Sequence, residues 1–122
     1  MDEFDRVAPW LQAAIDEGGG THTLDDIRRA IAEDKMALRV FPHCAFLLEI
    51  VTYPKFRALR VTGAGGDCNE ALAEVLDFSI NTVPALTKAA GLQRYEFMGR
   101  EGWKRVLKPL GMTCHVYMFK EI

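Results

Sequence analysis

Thr62-Gly63-Ala64-Gly65-Gly66-Asp67-Cys68-Asn69-Glu70 joins an apolar extended segment, Phe56 to Thr62, to a long helical pattern that begins near Cys68. Glycine at a strand-to-helix junction lets the backbone approach another group closely or adopt a positive φ. The first N–H groups of a helix have no intrahelical partner and attract phosphate or other anions. The junction therefore separates two readings: a cofactor-binding enzyme, or a module that keeps only the fold of one. If a cofactor binds, Gly63, Ala64, Gly65 and Gly66 are the residues expected to touch it.

Upstream of the junction, Cys44 to Thr52 is almost continuously apolar apart from Glu49, the pattern of a central strand covered on both faces. Tyr53-Pro54-Lys55 is a turn short enough for an antiparallel hairpin with Phe56 to Thr62. Met36, Leu38 and Val40 alternate with Ala37, Arg39 and Phe41 and predict a half-buried strand. Farther back, Thr23-Leu24-Asp25-Asp26 reads as a helix N-cap with acids in the first turn, leading a short helix to about Asp34. Val7, Trp10, Leu11, Ala14 and Ile15 form the apolar stripe of a first helix starting near Pro9 and ended by Gly18-Gly19-Gly20.

Downstream, Leu72, Val75, Leu76, Ile80, Val83 and Leu86 make the expected buried stripe of a helix from Cys68 to Ala90, with Pro84 set to kink it. Tyr95 to Met98 predicts a short strand. A helix opens at Gly99 or Arg100 and buries Trp103, Val106, Leu107 and Leu110. Thr113 to Lys120 alternates as a last strand. The expected order is α-α-β-β-β-α-β-α-β: a single α/β domain over residues 1–122 with a mixed, mostly antiparallel sheet flanked by helices.

Bulk properties narrow the function classes. Lys and Arg total 15 against 17 Asp and Glu, too balanced to make nucleic acid or an anionic membrane an obligate partner. No apolar run reaches membrane-spanning length, and the N-terminus lacks the basic-then-apolar pattern of a signal peptide, so a reducing cytoplasm is the expected location. Cys44, Cys68 and Cys114 are an odd number without CxxC spacing, which argues against a disulfide framework. His43-Cys44 and Cys114-His115 could supply four soft ligands, but metal-site spacing is absent and no metal is expected.

The element order resembles the GNAT (Gcn5-related N-acetyltransferase) superfamily without its first strand, over nearly the whole chain. The later part carries the signature best: Arg94-Tyr95-Glu96-Phe97-Met98, the helix from Gly102 to Leu110, Gly111-Met112, and Val116 to Phe119. Four blocks, Gly19-Gly20-Thr21-His22-Thr23-Leu24-Asp25-Asp26-Ile27, Tyr53-Pro54, Gly65-Gly66-Asp67 and Gly99-Arg100-Glu101-Gly102-Trp103-Lys104-Arg105-Val106-Leu107, resemble small GNAT-like proteins of tailed bacteriophages and prophages. The resemblance implies acyl-CoA beside the strand Phe56 to Thr62, with its pyrophosphate at the helix from Cys68. It also implies a bacterial host cytoplasm, incorporation in a phage particle, and phage or host proteins as partners, with oligomers allowed.

The family's cofactor loop, Arg/Gln-x-x-Gly-x-Gly/Ala, is missing. Asp67 and Glu70 form an Asp-x-x-Glu pattern close to a capping box, which would occupy the N–H groups that hold a pyrophosphate. Asp67 would also repel phosphates: two unit charges ~4 Å apart interact by ~4 kcal/mol at an effective dielectric of ~20. Many family members place a general-acid tyrosine four residues before the Gly of a Leu-Gly-aromatic run; here Leu107 stands there and cannot donate a proton. Glu49 as a general base, Tyr117 and His115 are the remaining catalytic candidates; Glu49 could equally pair with Arg39 or Arg57 across the sheet. Arg94, Arg100, Lys104, Arg105 and Lys108 read as a solvated basic face, diluted by Glu96 and Glu101. The expectation is a non-catalytic protein that works through protein contacts, without cofactor. The alternative is a divergent acyltransferase using acetyl-CoA.

Overall fold

The computed structural model describes residues 2–17, 20–67, 70–98, 102–116 and 118–122. Helices α1 (Glu3–Glu17) and α2 (Leu24–Ala32) precede three strands, β1 (Ala37–Val40), β2 (Cys44–Thr52) and β3 (Arg57–Gly66). Helix α3 (Ala71–Asp77) passes through a π-helical turn (Phe78–Thr82) into α4 (Val83–Ala89). Strand β4 (Arg94–Phe97), α5 (Gly102–Leu107) and a 3-10 turn (Lys108–Leu110) follow. The sheet order is β1-β2-β3-β4, with β1, β2 and β3 antiparallel and β4 parallel to β3. The α/β class and the mixed, mostly antiparallel sheet flanked by helices are as expected.

Strand alternation divides the core into two layers. Ala45 and Leu47 of β2 face α1 and α2, where they pack with Phe4, Val7, Leu11 and Ile27. Cys44, Phe46 and Leu48 face the other way, packing with Leu59, Val61, Ala71, Val75, Phe78 and Val83. Phe46 stacks on Phe78 with ring centroids 4.2 Å apart, and Phe41 meets both rings edge-on. Burial of such side chains is the main stabilising contribution, about 1.5–3 kcal/mol for each large one. Only the first half of β2 is covered on both faces; from Glu49 onward the strand is partly exposed, short of the full coverage expected.

Three elements depart from the sequence expectation. Helix α1 begins at Glu3, so Pro9 lies inside it; its side chain is exposed, and the carbonyl four residues back, to which proline has no N–H to donate, is that of the exposed Asp5. Before Pro84 the helix widens into the π turn, where Val83 donates to the Phe78 carbonyl five residues back. The wider turn changes the phase of the buried face. Val75, Phe78, Ser79, Val83 and Thr87 point inward, while Leu72 and Ile80, expected in the stripe, are 47% and 49% exposed. Finally, no strand forms among the described residues from Thr113 to Ile122, so the ninth element of the expected order is missing.

Candidate functional site

The glycine run is strand rather than loop. β3 continues through Gly66, pairing Gly63 with Leu47, Ala64 with Phe46, Gly65 with Ala45 and Gly66 with Cys44. Val61 pairs with Leu48 and Gly63 with Leu47, so Thr62 is the extra residue of a β-bulge. On the other side, the pairing of β3 with β4 ends at Val61 and Phe97. Beyond that point, among the described residues, β3 has a strand neighbour on one side only.

A cavity of ≈ 190 Å³ opens at this stretch. Cys44 and Phe46 line it from β2, Ala64, Gly65 and Gly66 from β3, Ala71, Leu72 and Val75 from α3, and Trp103 and Val106 from α5. Three of the four expected cofactor residues are thus brought together on one cavity wall. Gly63 is not; it faces Leu47 and Ala14 on the α1 side.

Packing explains two of these glycines without any ligand. A Cβ on Gly65 would lie 2.4 Å from the Trp10 carbonyl oxygen of α1, and one on Gly66 would lie 2.3 Å from the His43 carbonyl oxygen. Neither backbone atom can swing aside, so these positions require glycine for close approach. The helix cap is also not as the sequence suggested. Helix α3 starts at Ala71 with Glu70 as N-cap, and Glu70 makes no side-chain cap bond. Asp67 contributes its backbone carbonyl, which accepts from the Ala71 N–H at 2.8 Å, and its own N–H donates to the His43 carbonyl at 2.9 Å. The expected Asp67–Glu70 capping box is therefore absent, unlike the box at Thr23 and Asp26, which is formed in both directions at 3.1 and 2.9 Å.

Beside the cavity, Glu74 of α3 binds the β1–β2 turn. Its carboxylate accepts the His43 N–H at 2.9 Å and the Cys44 thiol at 3.3 Å, and lies 3.2 Å from His43 Nδ1. Burial pushes the Cys44 thiol up, and the hydrogen bond to Glu74 and the negative charge of Glu74 add to it, to about 12. The thiol is therefore protonated at neutral pH and is a poor nucleophile. Glu74 itself is driven up by burial, but the His43 N–H and the Cys44 thiol outweigh this and leave it below the ordinary carboxylate value. The sequence offered no signal for Glu74, because its partners are 30 and 31 residues away.

Glu49 sits elsewhere. By alternation it shares the α1 face with Ala45 and Leu47, across the sheet from the cavity. It accepts the Thr62 hydroxyl at 2.6 Å and approaches Arg60, directly opposite in register, at 4.0 Å. Arg60, rather than Arg39 or Arg57, is thus its cross-strand neighbour. Arg60 also donates to Glu96 at 2.8 Å and to the Tyr53 hydroxyl at 2.9 Å, while the Tyr53 hydroxyl donates to Glu96 at 2.7 Å. Arg94 closes this network on Glu96 at 3.3 Å and lies over the Phe56 ring at 4.4 Å.

Tyr117, Cys68, Arg100 and Glu101 lie outside the described residues. Leu107 is buried, and His115, Lys104, Arg105 and Lys108 are exposed. Among the described residues, no group of three or more His, Cys, Asp or Glu side chains is placed to hold a metal ion, and no helix is long and apolar enough to cross a membrane.

No protein-family model matches this chain, and no curated protein matches it in sequence. Solved structures do match in shape. A tetramutant of the BH1408 protein from Bacillus halodurans superposes with TM-score 0.65 at 15% identity, covering 98% of this chain and 94% of that one. A possible acetyltransferase from Clostridium difficile 630 superposes with TM-score 0.65 at 14% identity, covering 99% of this chain and 91% of the other. At such identities the likeness shows the fold alone: the α/β arrangement these proteins share, consistent with the GNAT-like resemblance of the sequence.

Proposed function

We propose that this chain is a phage-type GNAT-like protein that acts through protein–protein contacts, in virion assembly or structure or in an accessory phage role, without transferring an acyl group. One observation carries the reading. The cavity at the end of β3, where the resemblance would put acyl-CoA, is lined among the described residues by aliphatic and aromatic side chains, glycine backbone and one protonated thiol, with no side chain that titrates near neutral pH. Acyl transfer to an amine needs a group that accepts or donates a proton within hydrogen-bond reach of the reacting atoms. Glu49 faces the opposite side of the sheet and is engaged by Thr62.

A second reading has its own observation. β3 runs on past its last pairing with β4, and a cavity adjoins that stretch, so a divergent acyltransferase could seat acetyl-CoA there. Thermal denaturation with and without acetyl-CoA separates the two. A ligand at ~100 times its dissociation constant adds ~2.7 kcal/mol of stability. The proposal expects no such gain; clear stabilisation, together with acetylation of an amine substrate, would overturn it. For the phage role, mass spectrometry of purified particles and procapsids should detect the chain, and its absence from both would count against that role.

A further inference from the structure

A second cavity, ≈ 210 Å³, shares no wall residue with the first. Ser79 and Ile80 of the π turn, Tyr95 and Phe97 of β4, Leu107 of α5 and Leu110 of the 3-10 turn bound it. No Asp, Glu, Lys, Arg or His lines it among the described residues. An ionised ligand would leave its charge unpaired there, so the cavity suits a neutral one.

Ser79 is 3% exposed, and its hydroxyl has no hydrogen-bond partner among the described residues. Two turns farther on, Thr87 is also buried, but its hydroxyl donates to the Val83 carbonyl at 2.7 Å. Such a bond to the carbonyl four residues back is a common outlet for a helical serine or threonine. Ser79 does not make it, and a buried unpaired hydroxyl destabilises the fold. It stands where the helix widens, an irregularity that recurs at functional sites. A hydroxyl both donates and accepts, and a change of χ1 between staggered positions re-aims it.

An apolar cavity of about 150 Å³ holds benzene, so this larger one admits a single ring with about one or two further heavy atoms. The Tyr95 and Phe97 rings meet edge-on, with centroids 6.3 Å apart and planes at 87°. Together they offer a face and an edge, the two arrangements that a third ring prefers. We infer that this cavity binds a neutral monocyclic phenol, its ring against Tyr95 and Phe97 and its hydroxyl paired with that of Ser79. The site goes beyond the function proposed above and is independent of whether acetyl-CoA binds.

Calorimetric titration of the full chain with p-cresol, toluene and p-toluate tests it. p-Cresol should bind saturably at one site. Toluene should bind roughly 3- to 10-fold more weakly for want of one hydrogen bond, and p-toluate not measurably. Ser79→Ala should bring p-cresol down to the affinity of toluene and leave toluene's own affinity unchanged. Without ligand, the same variant should keep or raise the denaturant midpoint, since no bond is lost. Leu110→Trp, at an exposed position on the rim, should fill the cavity and abolish binding of both; Ile80→Trp, also exposed, takes its place should that variant not fold. Leu72→Trp, on the wall of the first cavity, should change nothing. Absence of saturable p-cresol binding would overturn the inference. So would an equal loss of both ligands in Ser79→Ala, a lowered midpoint in that variant, or binding that survives Leu110→Trp but not Leu72→Trp. None of these outcomes bears on the acetyl-CoA titration.

Discussion

The two halves of β3 differ in what fills the space around them. From Arg57 to Val61 the strand has neighbours on both sides, β2 and β4, and its side chains do the packing. Leu59 and Val61 enter the core, and Arg60 joins Glu49, Tyr53 and Glu96 on the opposite face. From Thr62 to Gly66 the strand has β2 alone, and it is the near absence of side chains that lets other elements come close: α1 by its Trp10 backbone at Gly65, the β1–β2 turn at Gly66. One strand thus shows two ways of fixing a sheet, by side-chain interlock and by backbone proximity. A glycine-rich segment need not be a ligand loop when a helix lies against it.

The strongest way to break this comparison is to empty the space over the glycine half. Phe46 stands opposite Ala64 and stacks on Phe78, so Phe46→Ala should cost about 3–5 kcal/mol in urea denaturation. A loss near 1 kcal/mol would mean that the glycine half is held by backbone contacts alone. Next in size, Gly65→Ala should cost about 1–3 kcal/mol, since the new methyl group meets the Trp10 carbonyl and α1 must shift. A neutral result would restore the ligand-loop reading of this glycine.

The side-chain half is sharpened by Glu96→Gln. It weakens charge-assisted bonds from Arg60 and Arg94 and should cost about 1–2 kcal/mol at pH 7. Burial drives the Glu96 carboxyl up, but the Tyr53 hydroxyl, then Arg60 by hydrogen bond and charge, then Arg94 outweigh it and hold it below its ordinary value of 4.5. A carboxylate with a depressed folded-state pKa binds protons less readily in the native chain than in the unfolded one. Its contribution is therefore present above pH 4.5 and lost as pH falls through the folded value. Wild type should lose stability over that acid limb more steeply than Glu96→Gln, as denaturant midpoints measured from pH 7 down to about pH 3 would reveal. The smallest effect is at Gly63→Ala. Its Cβ would meet Leu47 Cδ1 at 3.4 Å, an ordinary contact, and alanine restricts the unfolded chain more than glycine. No loss is expected, and a gain of up to about 1 kcal/mol would show in the same titration; a loss above that would place the packing constraint on the whole run rather than on Gly65 and Gly66.

The two expected caps show where sequence reading reaches its limit. Thr23 and Asp26 form the box that the sequence announces, because both partners are local and nothing else competes for them. Asp67 and Glu70 present a similar spacing, yet α3 starts one residue beyond Glu70 and makes no side-chain cap bond. There the Asp67 N–H is already taken by the His43 carbonyl, a contact 24 positions back along the chain. Likewise the order of elements through α5 followed from apolar periodicity and turn residues. The phase of the helix around Phe78 did not, since the π turn before Pro84 rotates Ser79 inward and Ile80 outward. Of the candidate site, the glycines that line the cavity were legible; Glu74, Cys44 as its thiol donor and Trp103 as its wall come together only through packing.

By itself, the sequence determined which segments are strands and helices over most of the chain, because side-chain alternation, apolar stripes and local caps act within a few residues. It also determined that the chain lacks an Arg/Gln-x-x-Gly-x-Gly/Ala loop and a tyrosine at position 107. Only the tertiary structure decided what the glycines are for, which face Glu49 occupies, and that β4 has no outer strand neighbour among the described residues. Those outcomes depend on groups separated along the chain coming together, as the Gly65 backbone does with the Trp10 backbone and the Glu49 carboxylate with the Thr62 hydroxyl, and no local pattern encodes such a meeting.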